Sequence, residues 1–318
     1  MKILVTGGAG FIASHIVDKY IELGHDVVVV DNLSTGFMKN VNPQAKFYLQ
    51  DIRHPDIEKI FKSEKPDIIN HHAAQISVPI SVDKPLIDID VNIVGFLNIL
   101  INSVKYDTQK VIFISSGGAI YGEAAEYPTT ENYIPKPLSP YAINKYTSEL
   151  YLTFYSQTQG LDFTTLRYSN VFGPRQVAEG EAGVVSIFIK KLLEDQIPTI
   201  YAYQDTPEGM IRDYIYIKDV VIANVMALNK ASKEAINIGS GTETTTENLL
   251  RLISKQMKKK FNPFKEGPRP GDIKKSCLNI EKAMKILKWK PEYDLKKGLT
   301  ETIDHFYKAN LDNDHKSI

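Results

Sequence analysis

The sequence predicts an α/β fold: a doubly wound parallel sheet covered by helices, with a smaller, discontinuous α/β lobe beside it. Three observations carry that expectation. The first half alternates short β-branched runs with longer helical patterns, the signature of repeated βαβ units. A glycine-rich turn joins the first run to the first helix. From about Asn170 the texture changes to Gly and Pro clusters with longer loops. At 318 residues the chain is long enough for one large domain or two unequal lobes.

"KILVT", "DVVVVD", "KFYLQ", "DIINH" and "VIFIS" read as strands. They are nearly unbroken in apolar residues, which suits a parallel sheet covered on both faces. Between them, "FIASHIVDKYIELG" sets apolar residues at helical spacing and stops at Gly24. "PDIEKIFKSE" and "DIDVNIVGFLNILINSV" follow the same spacing. Later, "DYIYIKDVVIANVMALNK" is expected to restore one strand–helix unit to the sheet, and "AINIGSG" one further strand. The expected division is 1–170 plus 212–242 for the sheet domain, and 171–211 plus 243–318 for the second lobe. The polar end "NLDNDHKSI" is expected to fray.

Lys plus Arg and Asp plus Glu both number 38, so the chain lacks the basic surplus of a dedicated nucleic-acid binder. Cys277 is the single cysteine, so no intrachain disulfide forms and a reducing compartment is expected. Cys277 itself reads as a small packing residue rather than a nucleophile. No signal-like apolar stretch precedes the first glycines, and no apolar run approaches the ~18 residues that cross a bilayer. The expectation is a soluble, cytoplasmic protein that contacts no membrane. The seven histidines show no metal-ligand spacing, and His71 and His72 read as core or loop residues near a strand end.

"VTGGAGFIASH" places Gly7, Gly10 and Ala13 between the first strand and the first helix, in the G-x-x-G-x-x-A spacing of a Rossmann turn. Glycines there let the backbone approach a pyrophosphate, which meets the positive end of the helix. The second strand ends on Asp31, 21 residues after Gly10. A carboxylate there accepts from ribose hydroxyls and repels a 2′-phosphate, and no Arg follows closely, so NAD is expected rather than NADP. Asp51 and Ile52 end the next strand, either flanking the adenine or standing as ordinary loop residues.

"SPYAINKYTSELYLTFYSQ" reads as a helix with Pro140 in its first turn. Tyr141 and Lys145 stand at i and i+4 on one face. An ammonium there favours the tyrosinate and suits Tyr141 to general-base work.

With "SSGGAIYGE", "HHAAQISV", "LRYSNVFGPRQ", "GEAGVVSIF", "IRDYIYIKDV" and "RPGDI" added, the chain resembles the extended short-chain dehydrogenase/reductase family over essentially its whole length. Within that family it is similar to the UDP-glucose (UDP-galactose) 4-epimerase branch. The resemblance implies a NAD-dependent cycle without net redox change, in which a UDP-hexose passes through a 4-keto form. It implies further cofactor contacts from Phe11, Ile12, Asn32, Ser34, Thr35, Gly36, Ala73, Ala74, Asn92 and Tyr168. It assigns the nucleotide sugar to Asn170, Val184, Tyr201, Arg212, Arg269, Asp272 and Ser276, with the two arginines on the pyrophosphate. Ser276 falls at the residue that faces the sugar 2-substituent; a small side chain there would admit an N-acetyl group. A homodimer through a four-helix interface is also implied.

The hydroxyl that should assist Tyr141 is less simple. Aligned on "YG", the family's Ser or Thr falls on Gly117; aligned on the catalytic tyrosine, it falls on Ser116. We place it on Ser116, with Gly117 and Gly118 bending the backbone behind it. Strand alternation turns Ser115 the other way. On the other alignment, a water or backbone N–H replaces the hydroxyl. The residues after Ser116 are Gly117, Gly118, Ala119 and Ile120, so the acids of the related dehydratases and decarboxylases are missing. Two other readings stand beside the 4-epimerase: another nucleotide-sugar epimerase such as a UDP-glucuronate epimerase, and a non-catalytic dinucleotide-binding regulator.

Overall fold

The computed structural model describes residues 1–178, 183–269 and 271–314. Six strands lead the chain: β1 (Lys2–Thr6), β2 (Asp26–Asp31), β3 (Lys46–Leu49), β4 (Ile68–His71), β5 (Lys110–Ser116) and β6 (Asp162–Tyr168). Three short strands follow outside their sheet: β7 (Asn170–Phe172), β8 (Thr199–Tyr201) and β9 (Ile211–Tyr216). Then β10 (Glu234–Ile238) returns to it. The result is a seven-stranded sheet in the order β10-β6-β5-β4-β1-β2-β3, parallel at every pairing.

Alternation sorts the side chains. Leu4, Val28, Ile69, Val111 and Phe113 face one way and pack on α2 (Ile57–Glu64), α5 (Phe96–Lys105) and α7 (Pro140–Gln159), the helices between the paired strands. Ile3, Val5, Val29, Ile112 and Ile114 face the other way, towards α1 (Phe11–Glu22) and α9 (Ile217–Ala227). Two-sided burial is why these strands read as unbroken apolar runs. Because every strand is parallel, all C-terminal ends lie on one edge. The strand order reverses between β1 and β4, the place where sheets of this kind bind their ligands.

Three departures from the sequence reading matter. First, β9 does not join the main sheet. It pairs in parallel with β7 and antiparallel with β11 (Glu243–Thr245), forming a separate three-stranded sheet. The edge position beside β6 is taken by β10, and buried Asp213 ties β9 elsewhere. Its carboxylate accepts from Ser240 N and Oγ (both 2.7 Å), Gly241 N (3.2 Å) and Leu278 N (3.3 Å). Only α9 returns to the main layer, against α1. A third sheet pairs β8 with β12 (Phe264–Glu266).

Second, α4 (Pro85–Ile89), a π-helical stretch at Asp90–Gly95 and α5 run together. The joined helix Pro85–Lys105 is long and apolar enough to cross a membrane, although the sequence reading found no such run. Half of its apolar window is buried inside the protein. Third, α11 (Leu295–Asp314) carries part of the polar end into a helix; residues 315–318 lie outside the described residues. The remaining α-helices among the described residues are α3 (Val78–Asp83), the single turn α6 (Gly117–Ile120), α8 (Val184–Leu193) and α10 (Thr246–Gln256), with a 3-10 turn at Met38–Asn40 and a second π-helical stretch at Ala283–Leu287.

Candidate active site

The loop after β1 meets the loop after β4. Thr6 Oγ1 accepts from His72 N and Ala73 N (both 3.2 Å), and Gly7 has a φ of +70°. A Cβ on Gly7 would stand 2.7 Å from Ala73 N, so only glycine allows this approach. Gly10 opens α1 with no side-chain cap, leaving its first N–H groups for an anion; Phe11 and Ile12 form the first turn and pack on the core. Asp31 is buried at the end of β2, its carboxylate held by Ala9 N (3.0 Å) and Leu33 N (2.7 Å). Both oxygens keep lone pairs for further donors. These features fit a dinucleotide with an unphosphorylated ribose.

Around them, Asn32 caps Ser34 N (3.0 Å), Thr35 is exposed, and Gly36 lies against Ala9. Asp51 is more committed than its spacing suggested. Arg53 grips both its oxygens (2.9 and 2.7 Å), Asn32 adds a 2.8 Å bond, and Arg53 holds the carboxyl far below the usual range. Ile52 is buried beneath it. Ala73 and Ala74 are half-buried. Asn92, in the π-helical stretch, clamps Gln75 by its N–H and C=O (both 2.9 Å). Tyr168 is buried, and its hydroxyl accepts from Asn224 (2.6 Å); burial pushes that phenol well above its ordinary pKa. The Tyr168 hydroxyl therefore points into the core.

α7 begins as expected, with Ser139 Oγ accepting from Ala142 N (3.2 Å) and Pro140 in the first turn. Lys145 is buried, and its Nζ donates to the Ile114 carbonyl (3.0 Å) at the C-terminal end of β5. The ammonium also lies 5.9 Å from the Tyr141 ring centroid and 5.1 Å from that of Phe113. Burial lowers the Lys145 pKa to about 8, against the opposing pull of Asp88 and Glu149. Tyr141 is half-exposed.

The two glycines of "SSGGAIYGE" face different ways. A Cβ on Gly117 would strike Leu278 at 2.6 Å and approach the Arg167 carbonyl at 3.2 Å. A hydroxyl carried there would enter packed protein. A Cβ on Gly118 would stand 3.6 Å from Asn170 Oδ1 and 4.0 Å from both Ser116 Oγ and Ser276 Oγ. Three predicted site residues thus surround one point. Asn170 Oδ1 is buried and has no hydrogen-bond partner among the described residues, and Ser115 Oγ is likewise buried and unpartnered.

Arg212 and Arg269 behave differently. Among the described residues Arg212 makes no ion pair; its Nη1 donates to the Ile211 (2.9 Å) and Lys274 (3.4 Å) carbonyls. Burial lowers its pKa, with Tyr214, Asp272 and Glu123 opposing. Arg269 is paired with Asp272 (3.2 Å) and lies 4.8 Å over the Tyr201 ring. Val184 opens α8 and packs on the main core; the "GEAGVVSIF" and "RPGDI" stretches each include residues outside the described set. Cys277 is buried, and burial with the nearby Asp213 pushes its thiol up to about 12. His71 is a core residue in a cluster with the Phe96 and Phe113 rings, which also contact each other. No group of metal-ligating side chains occurs among the described residues.

Sequence reasoning missed two buried hubs. The Asp88 carboxylate accepts from Asn144 (2.6 Å), Gln75 (2.5 Å) and Asn92 (3.1 Å). Glu149, one turn past Lys145, grips Arg167 (2.6 Å), whose Nη1 donates to Tyr121 (2.8 Å). A carboxylate four residues past a buried lysine on one helix was the available signal.

The family model described as NAD dependent epimerase/dehydratase matches residues 3–239. The chain is similar to the UDP-glucose 4-epimerase of Thermotoga maritima solved with UDP-glucose, at 47% identity and a TM-score of 0.95, covering 98% of this chain and 100% of that one. It is similar to the Thermus thermophilus UDP-glucose 4-epimerase solved with NAD, at 42% identity and a TM-score of 0.92, over 97% and 100%. It is also similar to the UDP-N-acetylglucosamine 4-epimerase of Methanobrevibacter ruminantium solved with UDP-N-acetylmuramic acid, at 37% and 0.90, over 97% and 98%. This chain belongs to the NAD dependent epimerase/dehydratase family.

Proposed function

We propose that the chain catalyses NAD-dependent 4-epimerisation of a UDP-hexose, interconverting UDP-glucose and UDP-galactose and accepting N-acetylated forms. The observation that carries the reading is the Lys145–Ile114 hydrogen bond. It anchors the Tyr141–Lys145 pair at the sheet edge where the Gly7 turn and Asp31 also end.

NAD, when bound, serves as the reversible oxidant of sugar C4. Gly7 and Gly10 would admit its pyrophosphate, and Asp31 its ribose. Tyr141 takes the proton of the 4-hydroxyl as C4 becomes a ketone and returns it when the ketone is reduced from the opposite face. Lys145 keeps Tyr141 inclined to ionise. Ser116 donates to the sugar 4-oxygen. Arg212 is a partly buried cation without a carboxylate partner among the described residues, which suits a diphosphate. Arg269 supplies a second cation from the loop it shares with Asp272. The segments bearing β7–β9 and β11–β12 form the sugar-nucleotide lobe, and the main sheet the cofactor domain. Small Ser276 leaves room for a 2-substituent.

Exposed apolar residues on α4, α5 and α7 support a homodimer through those helices. A soluble enzyme of the cytoplasm is the matching location.

The test is proton NMR of purified protein with UDP-galactose and catalytic NAD, repeated with UDP-N-acetylgalactosamine. The gluco anomeric signal should appear without net NADH. Unchanged sugar nucleotides, identical to a Tyr141→Phe control, would overturn the assignment in favour of the uronic-acid or non-catalytic reading.

A further inference from the structure

The two glycines behind Ser116 raise a mechanical problem. Ser116 closes β5 and pairs with Tyr168 of β6, so its strand side is held by the ladder; on its other side the chain enters a single turn that begins with two glycines, which have no side chains to anchor it. Something outside the turn must fix it.

The turn ends on Tyr121, which is buried. Its hydroxyl donates to Asn237 Oδ1 (2.8 Å) and accepts from Arg167 Nη1 (2.8 Å). Arg167 in turn is gripped through Nε and Nη2 by Glu149 (3.1 and 2.6 Å). Glu149 lies on α7, four residues past Lys145 and eight past Tyr141, about 6 and 12 Å along the same helix. Asn237 completes the support by donating to the Thr129 carbonyl (3.0 Å). One buried ion pair therefore measures out both partners: the helix that carries the base and the turn that follows the hydroxyl. Such a pair is weak evidence for stability, since apolar residues could fill the same volume. A role in register accounts for it better.

We propose that the Glu149–Arg167–Tyr121 chain is a positioning device that sets the Ser116 hydroxyl against Tyr141 and Lys145. The inference rests on the assignment of Ser116 as the hydroxyl of the site. None of the three residues need touch the sugar.

A double-mutant cycle tests it: kcat and KM for UDP-galactose on wild type, Tyr121→Phe, Ser116→Ala and the double variant, with thermal melts of each. Misplacement of a catalytic group predicts that Tyr121→Phe lowers kcat about ten-fold with KM within about two-fold. Ser116→Ala should lower kcat at least as much, and the double variant should be no slower than Ser116→Ala alone. Tyr48→Phe removes a hydroxyl from a distant polar hub around Glu64 and should leave kcat unchanged. If Tyr121→Phe does not fold, Glu149→Gln replaces it in the same cycle. Equal slowing in the wild-type and Ser116→Ala backgrounds, or no slowing at all, overturns the proposal while leaving Ser116 in place. A Ser116→Ala enzyme of full activity removes the hydroxyl assignment and this inference together.

Discussion

The Lys145 ammonium and the Ile114 carbonyl are 3.0 Å apart, so the catalytic helix is fastened to β5 two residues before Ser116. The bond does not compensate fully for burial, because the Lys145 pKa falls from 10.5 to about 8. The sign follows from linkage: charged Lys145 is disfavoured in the fold, the cost is complete below pH 8, and it is relieved as pH rises towards 10.5. The shift corresponds to roughly 3 kcal/mol, offset if Lys145 is lost by about 1.5–3 kcal/mol for the hydrogen bond of a charged donor. Lys145→Met should therefore lower activity by ~10²–10⁴ while the ligand-free protein melts no lower at pH 7. Melting curves at pH 7 and 9.5 decide it: wild type should gain on the variant at the higher pH. A variant that melts well below wild type at pH 7 contradicts the argument.

Gly117 and Gly118 should respond oppositely to one methyl group. At Gly117 the new Cβ would overlap Leu278 in a small, filled core, so Gly117→Ala should cost about 1–3 kcal/mol. At Gly118 the neighbours stand at ordinary contact distance, and the backbone φ is not in the left-handed region. Gly118→Ala should keep its melting temperature and instead change KM, since its methyl enters the space between Ser116, Asn170 and Ser276. Urea unfolding beside steady-state kinetics separates the two; equal destabilisation would count against the placement.

These contrasts mark what the sequence could and could not convey. Runs such as Val27–Val30 reveal a strand buried on both faces because burial leaves no room for polar alternation. Gly7, Gly10 and Asp31 were legible because their roles depend on local backbone and fixed spacing. Sheet membership was not: the Ile and Tyr residues of β9 mark it as a strand, and only long-range contacts, its pairing with β7 and the hold on Asp213, show that it lies outside the main sheet. Partner choice was equally hidden. Asp51 looks free in sequence, yet Arg53 binds it, and nothing in the sequence pairs Tyr168 with Asn224. The π-helical stretch escaped notice because one widened turn barely alters a helical apolar pattern.

Arg212 is expected to contribute to binding and not to folding. Hydrogen bonds to a charged group contribute about 1.5–3 kcal/mol, so Arg212→Met should weaken UDP binding by roughly 10- to 100-fold. The ligand-free protein should melt at the same temperature or higher, because a partly buried guanidinium without a carboxylate partner among the described residues is removed. Calorimetric titration with UDP and a melt without it check both halves. Unchanged UDP affinity would remove Arg212 from the diphosphate site.

Asp31 should set the choice between dinucleotides. Its carboxylate opposes a 2′-phosphate by like charge, and Asp31→Asn keeps the shape without the charge. The variant should bind NADP at least about ten-fold more tightly and NAD more weakly. One of the Ala9 and Leu33 N–H groups loses its acceptor, so a stability loss of about 1 kcal/mol should accompany the change. Fluorescence titration with both cofactors measures it; an unaltered NADP affinity would mean that something other than Asp31 discriminates.

Leu86 (78% exposed), Leu150 (54%) and Phe154 (53%) leave apolar surface on α4 and α7, which pack on each other, and Ile101 does the same on α5. Isolated exposed apolar residues need no explanation, but several on adjoining helices form an apolar face of the kind that docks other molecules. If that molecule is a second copy, wild type sediments as a dimer at micromolar concentration, and Leu150→Asp with Phe154→Asp sediments as a monomer. The charge lies on the solvent side of α7, opposite buried Leu152, so circular dichroism should be unchanged. A wild-type monomer, or a double variant that stays dimeric, would move the interface away from these helices.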